Sequence, residues 1–341
     1  MRILFLGGTK FLGRHAVDAA LARSHDVTIF SRGRTPNFWG DTVTQLIGDR
    51  DPSKVPGLDA LREGEWDAVI DTSGYVPRVV RASAMMLKDR VERYLFVSSI
   101  SVYSDGGGAD RDESAAVTPL EDPATEEVMK FYGPLKSACE DEVRAAFGAA
   151  ATIVRPGLIV GPHDPSDRFS YWVARFRNPS LLGDRPADAI VPAPPEAPMQ
   201  IIDARDLGEW MVHLVEAGAG GTYNACSPAR LWTMGSIVDA LLDTAAAPQP
   251  VWVDEALLLE QKVEPWTGLP LWIPSTAGEE GFMEFDCRRA AAAGLRTRPL
   301  AETIDATAAW LSARDNGGAW KAVLTAEHEK DILAAASAAK S

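Results

Sequence analysis

Cysteine is scarce in this 341-residue chain, which contains only Cys139, Cys226 and Cys287. Because their number is odd and their spacing fits neither a disulfide framework nor a zinc motif, the sequence predicts three reduced thiols and no metal site. Long hydrophobic runs are missing as well. The apolar stretch at residues 3–6 is too short for a signal peptide or a membrane span, and no uncharged stretch of spanning length follows. These absences predict a cytoplasmic protein that does not enter a membrane.

Basic residues are fewer than acidic ones. The chain has 34 lysines and arginines against 48 aspartates and glutamates, and its formal net charge at pH 7 is -14. A surface of this sign repels the phosphates of nucleic acids and of anionic lipids. Hydrophobic residues make up 46% of the chain and charged residues 24%, which is typical of a globular protein. The composition therefore predicts that the chain has no nucleic-acid partner.

The first half of the chain alternates short apolar runs with amphipathic segments. The predicted strands cover residues 3–7, 26–31, 43–47, 66–72, 93–98 and 151–155. The predicted helices between them cover residues 11–23, 77–88 and 133–147. Strands separated by helices of this length indicate an α/β fold, a Rossmann doubly wound parallel sheet with helices on both faces. We assign residues 1–162 to this dinucleotide-binding domain.

The second half has a different character. Residues 162–198 are rich in Pro, Asp and Arg and predict mostly loop, with one helix at residues 170–177. Residues 199–225 return to the Rossmann domain with a strand, a helix and a strand at 199–203, 206–217 and 222–225. Residues 163–198 and 226–320 are predicted to form a smaller C-terminal α+β substrate-binding domain, with helices at 234–244 and 301–314 and a strand at 251–253. The alanine-rich segment at residues 321–341 predicts a loosely packed C-terminal helix or tail.

Three glycines, Gly7, Gly8 and Gly13, follow the first predicted strand and open the first helix. In that context they permit a tight turn, a close approach of the backbone to a pyrophosphate, and close packing of the helix on the sheet. The helix N-terminus adds free N–H groups for the phosphates. We therefore predict that the segment binds a dinucleotide. The remaining residues of the predicted phosphate loop are Thr9, Lys10, Phe11 and Leu12.

The end of the second predicted strand bears on the choice of cofactor. NAD-binding Rossmann folds place an acidic residue there for the ribose 2′-hydroxyl, whereas this chain has Ser31, Arg32 and Arg34. The planar donors of arginine suit a 2′-phosphate, so the sequence favours NADP(H), with NAD(H) possible. The alternative is that both arginines are solvated loop residues. Further predicted cofactor contacts, placed after the third and fourth strands, are Asp49, Thr72, Ser73 and Gly74.

A tyrosine and a lysine begin the helix predicted after the fifth strand. Pro134 is tolerated only in a first helical turn, so the helix should start near Tyr132, which puts Tyr132 and Lys136 on one face. A neighbouring ammonium favours the phenolate, so the two residues have the parts of a proton-transfer pair. Ser99 follows the fifth strand, at the edge where α/β sheets bind ligands. The alternative is that this serine only caps a turn.

These motifs resemble those of the extended and atypical short-chain dehydrogenase/reductase superfamily, the NAD-dependent epimerase/dehydratase family. The resemblance covers residues 1–161 and extends more weakly to about residue 214. It implies that Ser99 binds the substrate oxygen and that Tyr132 exchanges the proton. It also implies that Lys136 holds the nicotinamide ribose and tunes Tyr132. The segment predicted by the resemblance to lie against the nicotinamide carboxamide consists of Pro156, Gly157, Leu158 and Ile159.

The chain departs from the family pattern at two places. Lys10 stands where the extended motif has a glycine, so its side chain either contacts a phosphate or points to solvent. Nucleotide-sugar epimerases have a basic residue shortly before the segment at 202–206, where this chain has Pro198, Met199 and Gln200. This difference weakens a nucleotide-sugar function. Other basic residues that could take over the role are Arg168, Arg175, Arg185 and Arg230.

Aromatic and polar residues in the second half could shape a pocket that is partly apolar, as small-molecule sites usually are. Each of the aromatic residues could equally be part of the core. His163 could relay protons or be a solvated loop residue. The candidate substrate residues are Tyr75, Ser101, Tyr103, His163, Arg168, Phe169, Trp172, Trp266 and Trp272.

The residues together favour an NADP(H)-dependent oxidoreductase, a carbonyl reductase or alcohol dehydrogenase, that acts on a small molecule. Two alternatives stay open. One is an NAD(P)-dependent nucleotide-sugar epimerase or dehydratase, and the other is a non-catalytic relative that senses the cofactor or binds RNA. The resemblance also implies a homodimer formed through the helices at residues 77–88 and 133–147.

Overall fold

The computed structural model of the chain describes residues 1–104, 107–242, 247–278, 281–314, 320–321 and 323–339. Within these ranges the strands are β1 (Arg2–Leu6), β2 (Asp26–Ser31), β3 (Val43–Ile47), β4 (Ala68–Asp71), β5 (Arg93–Val97), β6 (Ala151–Pro156), β7 (Leu158–Val160), β8 (Asp188–Pro192), β9 (Pro198–Met199), β10 (Ile201–Asp203), β11 (Gly221–Ala225), β12 (Trp232–Thr233) and β13 (Gln249–Val253). The helices are α1 (Phe11–Ala22), α2 (Pro77–Leu87), α3 (Tyr132–Phe147), α4 (Arg168–Arg177), α5 (Ala204–Ala217), α6 (Met234–Leu241), α7 (Glu255–Glu260), α8 (Arg288–Ala292), α9 (Leu300–Ala313) and α10 (Ala326–Ala339). The last two residues of the helix predicted at 234–244 lie outside the described ranges.

Seven strands form one parallel sheet in the order β11–β6–β5–β4–β1–β2–β3. Both faces are buried, and successive side chains of a strand point to opposite faces. In β1, Ile3 and Phe5 therefore pack on the side of α1 and α5, while Leu4 and Leu6 pack on the side of α2 and α3. The order reverses at β1, as in a doubly wound Rossmann sheet. The predicted fold class is confirmed.

A second core lies in the C-terminal half, where α4, α6, α9 and α10 pack around β8 and β13. The prediction that residues 162–198 are mostly loop was wrong for β8, which pairs in parallel with β13. Prolines at both ends obscured this short strand, and its partner lies far along the chain. The predicted strand at 199–203 is divided into β9 and β10, and β7, α7 and α8 were missed. The limits of the domains remain a prediction.

The alanine-rich helix α10 packs on the core along one face, so the prediction that the C-terminal segment is loosely packed was wrong for that face. Glu329 is fully buried, and its carboxylate accepts hydrogen bonds from Arg175 Nε at 3.1 Å and Arg185 Nη1 at 3.2 Å. Ile332 is also fully buried. Small alanine side chains let the helix approach the core closely, and a buried ion pair with distant arginines cannot be inferred from local composition.

The three cysteines are free and buried. Among the described residues, no helix combines the length and the apolar character needed to cross a bilayer. The two helices predicted to form a dimer interface pack against each other within the chain. Val80 and Leu87 of α2 are buried in that core, and Met85 on the same helix is 50% exposed. The homodimer stays a prediction.

Candidate active site

A cavity of about 1560 Å³ lies at the carboxyl edge of the parallel sheet. Its walls are the segments that follow β1, β2, β3, β4, β5 and β6, together with the loop before α4. The order of the sheet reverses between β1 and β4, and the two segments that follow these strands diverge there and leave a crevice. This is the position at which open α/β sheets bind ligands.

The glycine loop after β1 forms one end of the cavity. Gly7 has a φ of +103°, and a Cβ atom there would lie 2.7 Å from Thr72 Oγ1. A Cβ at Gly13 would lie 2.8 Å from the Cα of Gly8, so α1 can approach the turn this closely only with glycine. Lys10, at the N-cap of α1, makes no side-chain cap bond, and the amides of the first turn remain available. A backbone cradle that side chains would fill fits the pyrophosphate of a dinucleotide. All predicted residues of this loop line the cavity: Gly7, Gly8, Thr9, Lys10, Phe11, Leu12 and Gly13.

Unpaired cations stand beside this loop. Arg32 and Arg34 line the cavity after β2, and neither forms an ion pair with any carboxylate in the described part of the chain. Lys10 likewise has no such partner. Asp49 also lines the cavity, but its Oδ1 accepts a hydrogen bond from the Asp51 amide at 3.0 Å. The cavity at this end therefore offers positive charge with no acidic residue at the end of β2.

The residues after β4 are divided between two tasks. Thr72 and Ser73 line the cavity, and their hydroxyls donate to the Leu6 carbonyl at 3.3 and 3.0 Å. Gly74 does not line it. Its carbonyl oxygen instead accepts a hydrogen bond from Lys136 Nζ at 2.6 Å. Gly74 is therefore placed to support the lysine rather than to contact a cofactor directly.

Ser99, Tyr132 and Lys136 come together on the wall of the cavity. Helix α3 begins at Tyr132, as predicted. A Cβ at Gly133 would lie only 1.9 Å from the Ser101 carbonyl oxygen, so the start of α3 packs directly on the segment after β5. Ser99 Oγ accepts a hydrogen bond from the Ser101 amide at 3.1 Å. The tertiary structure thus brings a hydroxyl, a phenol and an amine to one place.

The phenol of Tyr132 stays protonated at neutral pH in this arrangement. Burial is the main cause that raises the pKa of its phenol, and the nearby phenol of Tyr75 adds to the rise. A hydrogen bond with Ser99 and the charge of Arg168 oppose it. The tyrosine nevertheless remains open to the cavity, with 37% of its surface exposed. At neutral pH its side chain therefore presents a proton to whatever the cavity holds.

Lys136 is a buried ammonium with backbone acceptors. Nζ donates hydrogen bonds at 2.6 Å to the carbonyl oxygens of Gly74 and Val97, and it lies 4.2 Å from the centre of the Phe96 ring. Burial lowers the pKa of the side chain to about 8. An ammonium has three N–H bonds, so one remains for a ligand.

The buried Lys136 predicts a pH dependence of stability. Below pH 8 the ammonium is charged in both states, and its burial destabilises the folded chain. Between about pH 8 and 10.5 only the unfolded chain keeps the proton, so stability rises with pH; above 10.5 both states are neutral. We compare the free energy of unfolding of the unmodified chain with that of Lys136→Met. The difference between them should rise in favour of the unmodified chain by about 3 kcal/mol from about pH 8 to 10.5. Urea unfolding of both proteins at several pH values checks this. A constant difference would mean an ordinary lysine pKa.

Two buried polar networks behind the site were not predicted. Arg50 Nη1 donates to Asp71 Oδ1 at 2.5 Å, and Tyr94 Oη donates to the same carboxylate at 2.8 Å. On the other side, Glu140 accepts from Ser98 Oγ at 2.5 Å and from Arg155 Nη2 at 2.7 Å. In the sequence, the only signal for these networks was a charged residue at the end of an apolar run or inside one. Among these residues, Arg50 and Ser98 line the cavity itself.

The substrate half of the cavity contains some of the predicted residues and excludes others. Tyr75, Ser101, Tyr103, Arg168 and Trp266 line it, as do Pro156, Gly157, Leu158 and Ile159. Residues that line it without having been predicted include Arg111, Met129, Lys130, Asp164, Phe282 and Phe285. Their elements are irregular loops, so no periodic pattern marked them.

Four predicted substrate residues lie away from the cavity. Phe169 and Trp172 are fully buried in the C-terminal core, where Trp172 Nε1 donates to the Pro270 carbonyl at 2.9 Å. Trp272 belongs to the same core. The His163 ring packs between His15 and Trp310, and burial lowers its pKa to about 4. Phe169, Trp172 and Trp272 are therefore core residues, as the alternative for the aromatic residues had it. His163 neither lines the cavity nor is a fully solvated loop residue.

Of the four arginines considered as anion-binding residues, only Arg168 lines the cavity. Arg175 and Arg185 are committed to Glu329, and Arg230 pairs with Asp110 on the surface. Gln200, close to where nucleotide-sugar enzymes carry a basic residue, is buried, and its Nε2 donates to the Ser227 carbonyl at 2.8 Å.

Comparison with known families gives a match over more than half of the chain. The model of the NAD dependent epimerase/dehydratase family matches residues 3–226. This span runs from β1 to the residue after β11, so it contains the whole parallel sheet and all residues of the Ser99, Tyr132 and Lys136 group.

Two curated relatives are similar over part of their length. The 2-alkyl-3-oxoalkanoate reductase of Stenotrophomonas maltophilia is 30% identical over 185 residues, which cover 48% of this chain and 52% of the relative. The chloroplast stem-loop binding protein of 41 kDa b of Arabidopsis thaliana is 26% identical over 174 residues, which cover 47% of this chain and 43% of the relative. The chain thus spans about half the length of these relatives.

Solved structures resemble the chain over nearly its full length. The UDP-glucuronic acid 4-epimerase from Bacillus cereus in complex with NAD has a TM-score of 0.66 and 15% sequence identity, and the match covers 94% of this chain and 100% of that one. At this identity the likeness shows a shared fold.

Proposed function

Because the chain belongs to the NAD-dependent epimerase/dehydratase family, we propose that it is an NADP(H)-dependent oxidoreductase that interconverts a carbonyl and an alcohol on a small molecule. The observation that carries the proposal is the convergence of Ser99, Tyr132 and Lys136 on the cavity that the glycine loop also lines. A proton donor, an oxygen-binding hydroxyl and a phosphate cradle in one crevice are the parts this chemistry needs. The similarity to a 2-alkyl-3-oxoalkanoate reductase agrees with it.

The chain's own residues would divide the work as follows. Ser99 holds the substrate oxygen by a hydrogen bond, and the protonated phenol of Tyr132 gives that oxygen its proton in the direction of reduction. The remaining N–H of Lys136 holds the ribose and places a positive charge near the phenol, which stabilises the phenolate left behind. A bound nicotinamide cofactor supplies or accepts the hydride. Pro156, Gly157, Leu158 and Ile159 would position its carboxamide.

The cofactor preference gives a direct test. We expect NADPH to bind at least about tenfold more tightly than NADH, because Arg32 and Arg34 have no carboxylate partner among the described residues and each charge-assisted bond to a phosphate adds about 1.5–3 kcal/mol. Calorimetric titration measures both affinities. In Arg32→Ala the preference should fall toward one, while Arg62→Ala, an exposed arginine elsewhere, should keep it. Tighter binding of NADH by the unmodified chain would contradict the proposal.

A second candidate is an NAD(P)-dependent nucleotide-sugar epimerase or dehydratase. The likeness to a UDP-glucuronic acid 4-epimerase favours it. Gln200 counts against it, because this residue stands close to where such enzymes carry a basic residue and its side-chain amide already donates to a backbone carbonyl. Such an enzyme would keep its cofactor through purification and consume none. Stoichiometric oxidation of added NADPH by a carbonyl substrate would exclude that mode.

A third candidate is a non-catalytic protein that senses the cofactor or binds RNA, which the similarity to a chloroplast stem-loop binding protein raises. The net charge of -14 and the assembled Ser99, Tyr132 and Lys136 group both weigh against it. RNA binding that weakens steeply with salt would support this third candidate.

We also propose that the protein is cytoplasmic and that it forms a homodimer. Light scattering would measure the number of subunits.

A further inference from the structure

Arg168 is the one arginine of α4 that faces the cavity. It is the first residue of that helix, whereas Arg175 on the same helix pairs with Glu329 in the core. Within the described ranges no carboxylate lies within ion-pair distance of the Arg168 guanidinium, and neither terminal nitrogen donates a hydrogen bond to the protein. A guanidinium on a cavity wall with its terminal nitrogens free has donors to give to a ligand.

A chain of hydrogen bonds holds this side chain in place. Arg168 Nε donates to Ser166 Oγ at 3.1 Å, and Ser166 Oγ donates to Asp164 Oδ1 at 2.7 Å. Asp164 is only 2% exposed, and the Ser166 amide also donates to its Oδ1 at 2.8 Å. On another side, Arg168 Cζ lies 5.9 Å from the centre of the Trp266 ring. With Nε committed and the side chain near Trp266, the edge formed by Nη1 and Nη2 is prepared for a bidentate acceptor.

The surroundings favour an anion. The charge of Arg168 offsets a small part of the rise in the pKa of the Tyr132 phenol that burial causes, so this charge reaches the place where the substrate carbonyl would be protonated. Arg111 and Lys130 also line this half of the cavity. Among the described residues on this wall, the one acidic residue is Asp164, and its Oδ2 has no hydrogen-bond partner in those ranges. Although the whole chain is strongly acidic, the described residues that line the substrate half of the cavity carry a net positive charge.

We propose that Arg168 is an anion-binding subsite and that the substrate is a carbonyl compound carrying a carboxylate or phosphate group. This inference rests on the proposed oxidoreductase function. Arg168 binds the anionic group through its two terminal nitrogens, while Ser99 and Tyr132 take the carbonyl oxygen. Ser166 and Asp164 are positioning residues that hold the guanidinium without touching the substrate.

Pairs of probes that differ only in the anion test the proposal. Acetoacetate is compared with methyl acetoacetate, and dihydroxyacetone phosphate with dihydroxyacetone. Their dissociation constants are measured by ligand-observed NMR on the full chain saturated with NADP⁺, so no turnover is needed. We expect the anionic member of at least one pair to bind about tenfold to one-hundredfold more tightly than its neutral partner. A preference for acetoacetate over its methyl ester would indicate a substrate with a carboxylate. A preference for dihydroxyacetone phosphate over dihydroxyacetone would indicate a substrate with a phosphate.

Variants assign the effect to the guanidinium. Arg168→Gln should remove the preference for the anion and leave binding of the neutral probes unchanged. Arg168→Lys keeps the positive charge but lacks the paired terminal nitrogens of the guanidinium, so it should retain part of the preference for the anion. Arg230→Gln, a surface arginine paired with Asp110, should retain all of it. Equal binding of anionic and neutral probes by the original chain, or a preference that survives in Arg168→Gln, would overturn the proposal. Absence of NADPH oxidation with every probe counts against the proposed function, while the binding ratios still judge the subsite.

Discussion

Replacing Tyr132 with phenylalanine is expected to lower kcat at least about one-hundredfold while the affinity for NADPH changes less than about twofold. The substitution removes only the phenolic oxygen, the group that exchanges the proton, and a positioned general acid contributes about 10²–10⁴-fold to a rate. The ring remains and continues to pack beside Tyr75, whose ring centre is 6.5 Å away. NADPH oxidation in steady state measures kcat, and calorimetry measures cofactor binding.

A matched control separates this effect from a general loss of stability. Tyr223→Phe also removes one phenolic oxygen, but that oxygen donates to the Gly220 carbonyl at 3.1 Å, and the residue does not line the cavity. Its activity should match that of the unmodified chain. If Tyr132→Phe kept full activity, a proton donor other than Tyr132 would have to act, and the mechanism proposed for Tyr132 would be wrong.

Replacing Gly133 with alanine is expected to destabilise the fold by about 3 kcal/mol and to lower kcat/KM at least about tenfold. The new Cβ would lie 1.9 Å from the carbonyl oxygen of Ser101. The Cβ position is fixed by the backbone of residue 133 and the oxygen is itself a backbone atom, so no side-chain rotation relieves the overlap and the start of α3 must move away from the segment after β5. Tyr132 and Ser99 would then separate, and small misplacements of reacting groups are costly.

Urea unfolding and steady-state kinetics measure the two effects of the Gly133 substitution. Asp141→Ala is the control on the same helix: Asp141 makes an exposed ion pair with Arg144, and loss of such a pair changes stability by less than about 1 kcal/mol. An alanine at position 133 with unchanged stability and activity would mean that the contact between α3 and the Ser101 segment is looser than the structure shows.

Features that depend on neighbouring residues were open to prediction. The strands β2 and β3 match their predicted limits, because short apolar runs between turn residues fold as strands in any such sheet. The helix that begins at Tyr132 was also predictable, since Pro134 allows only a first-turn position. The same reasoning identified the glycine loop, because a turn between a strand and a helix is a local property of the chain.

Features that depend on distant contacts were not predictable. Phe169 and Trp266 were both candidates for the cavity wall, yet α4 buries Phe169 in the core while Trp266, in the segment after α7, lines the cavity. Which face of a helix meets a neighbour is decided by packing, and composition does not record it. The alanine-rich α10 was misjudged for the same reason, since Glu329 meets its arginines only after folding.

The amino-acid sequence by itself determined the fold class, the family, the position of the phosphate loop and the identity of Ser99, Tyr132 and Lys136 as a candidate group. The fold class and the glycine loop follow from hydrophobic periodicity and from residues close together in the chain, whereas the family and the candidate group follow from the resemblance of the motifs to those of that family. Only the tertiary structure decided that Arg168, rather than Arg175, Arg185 or Arg230, faces the cavity. The four have the same chemistry, but folding supplies three of them with carboxylate partners and gives Arg168 none among the described residues.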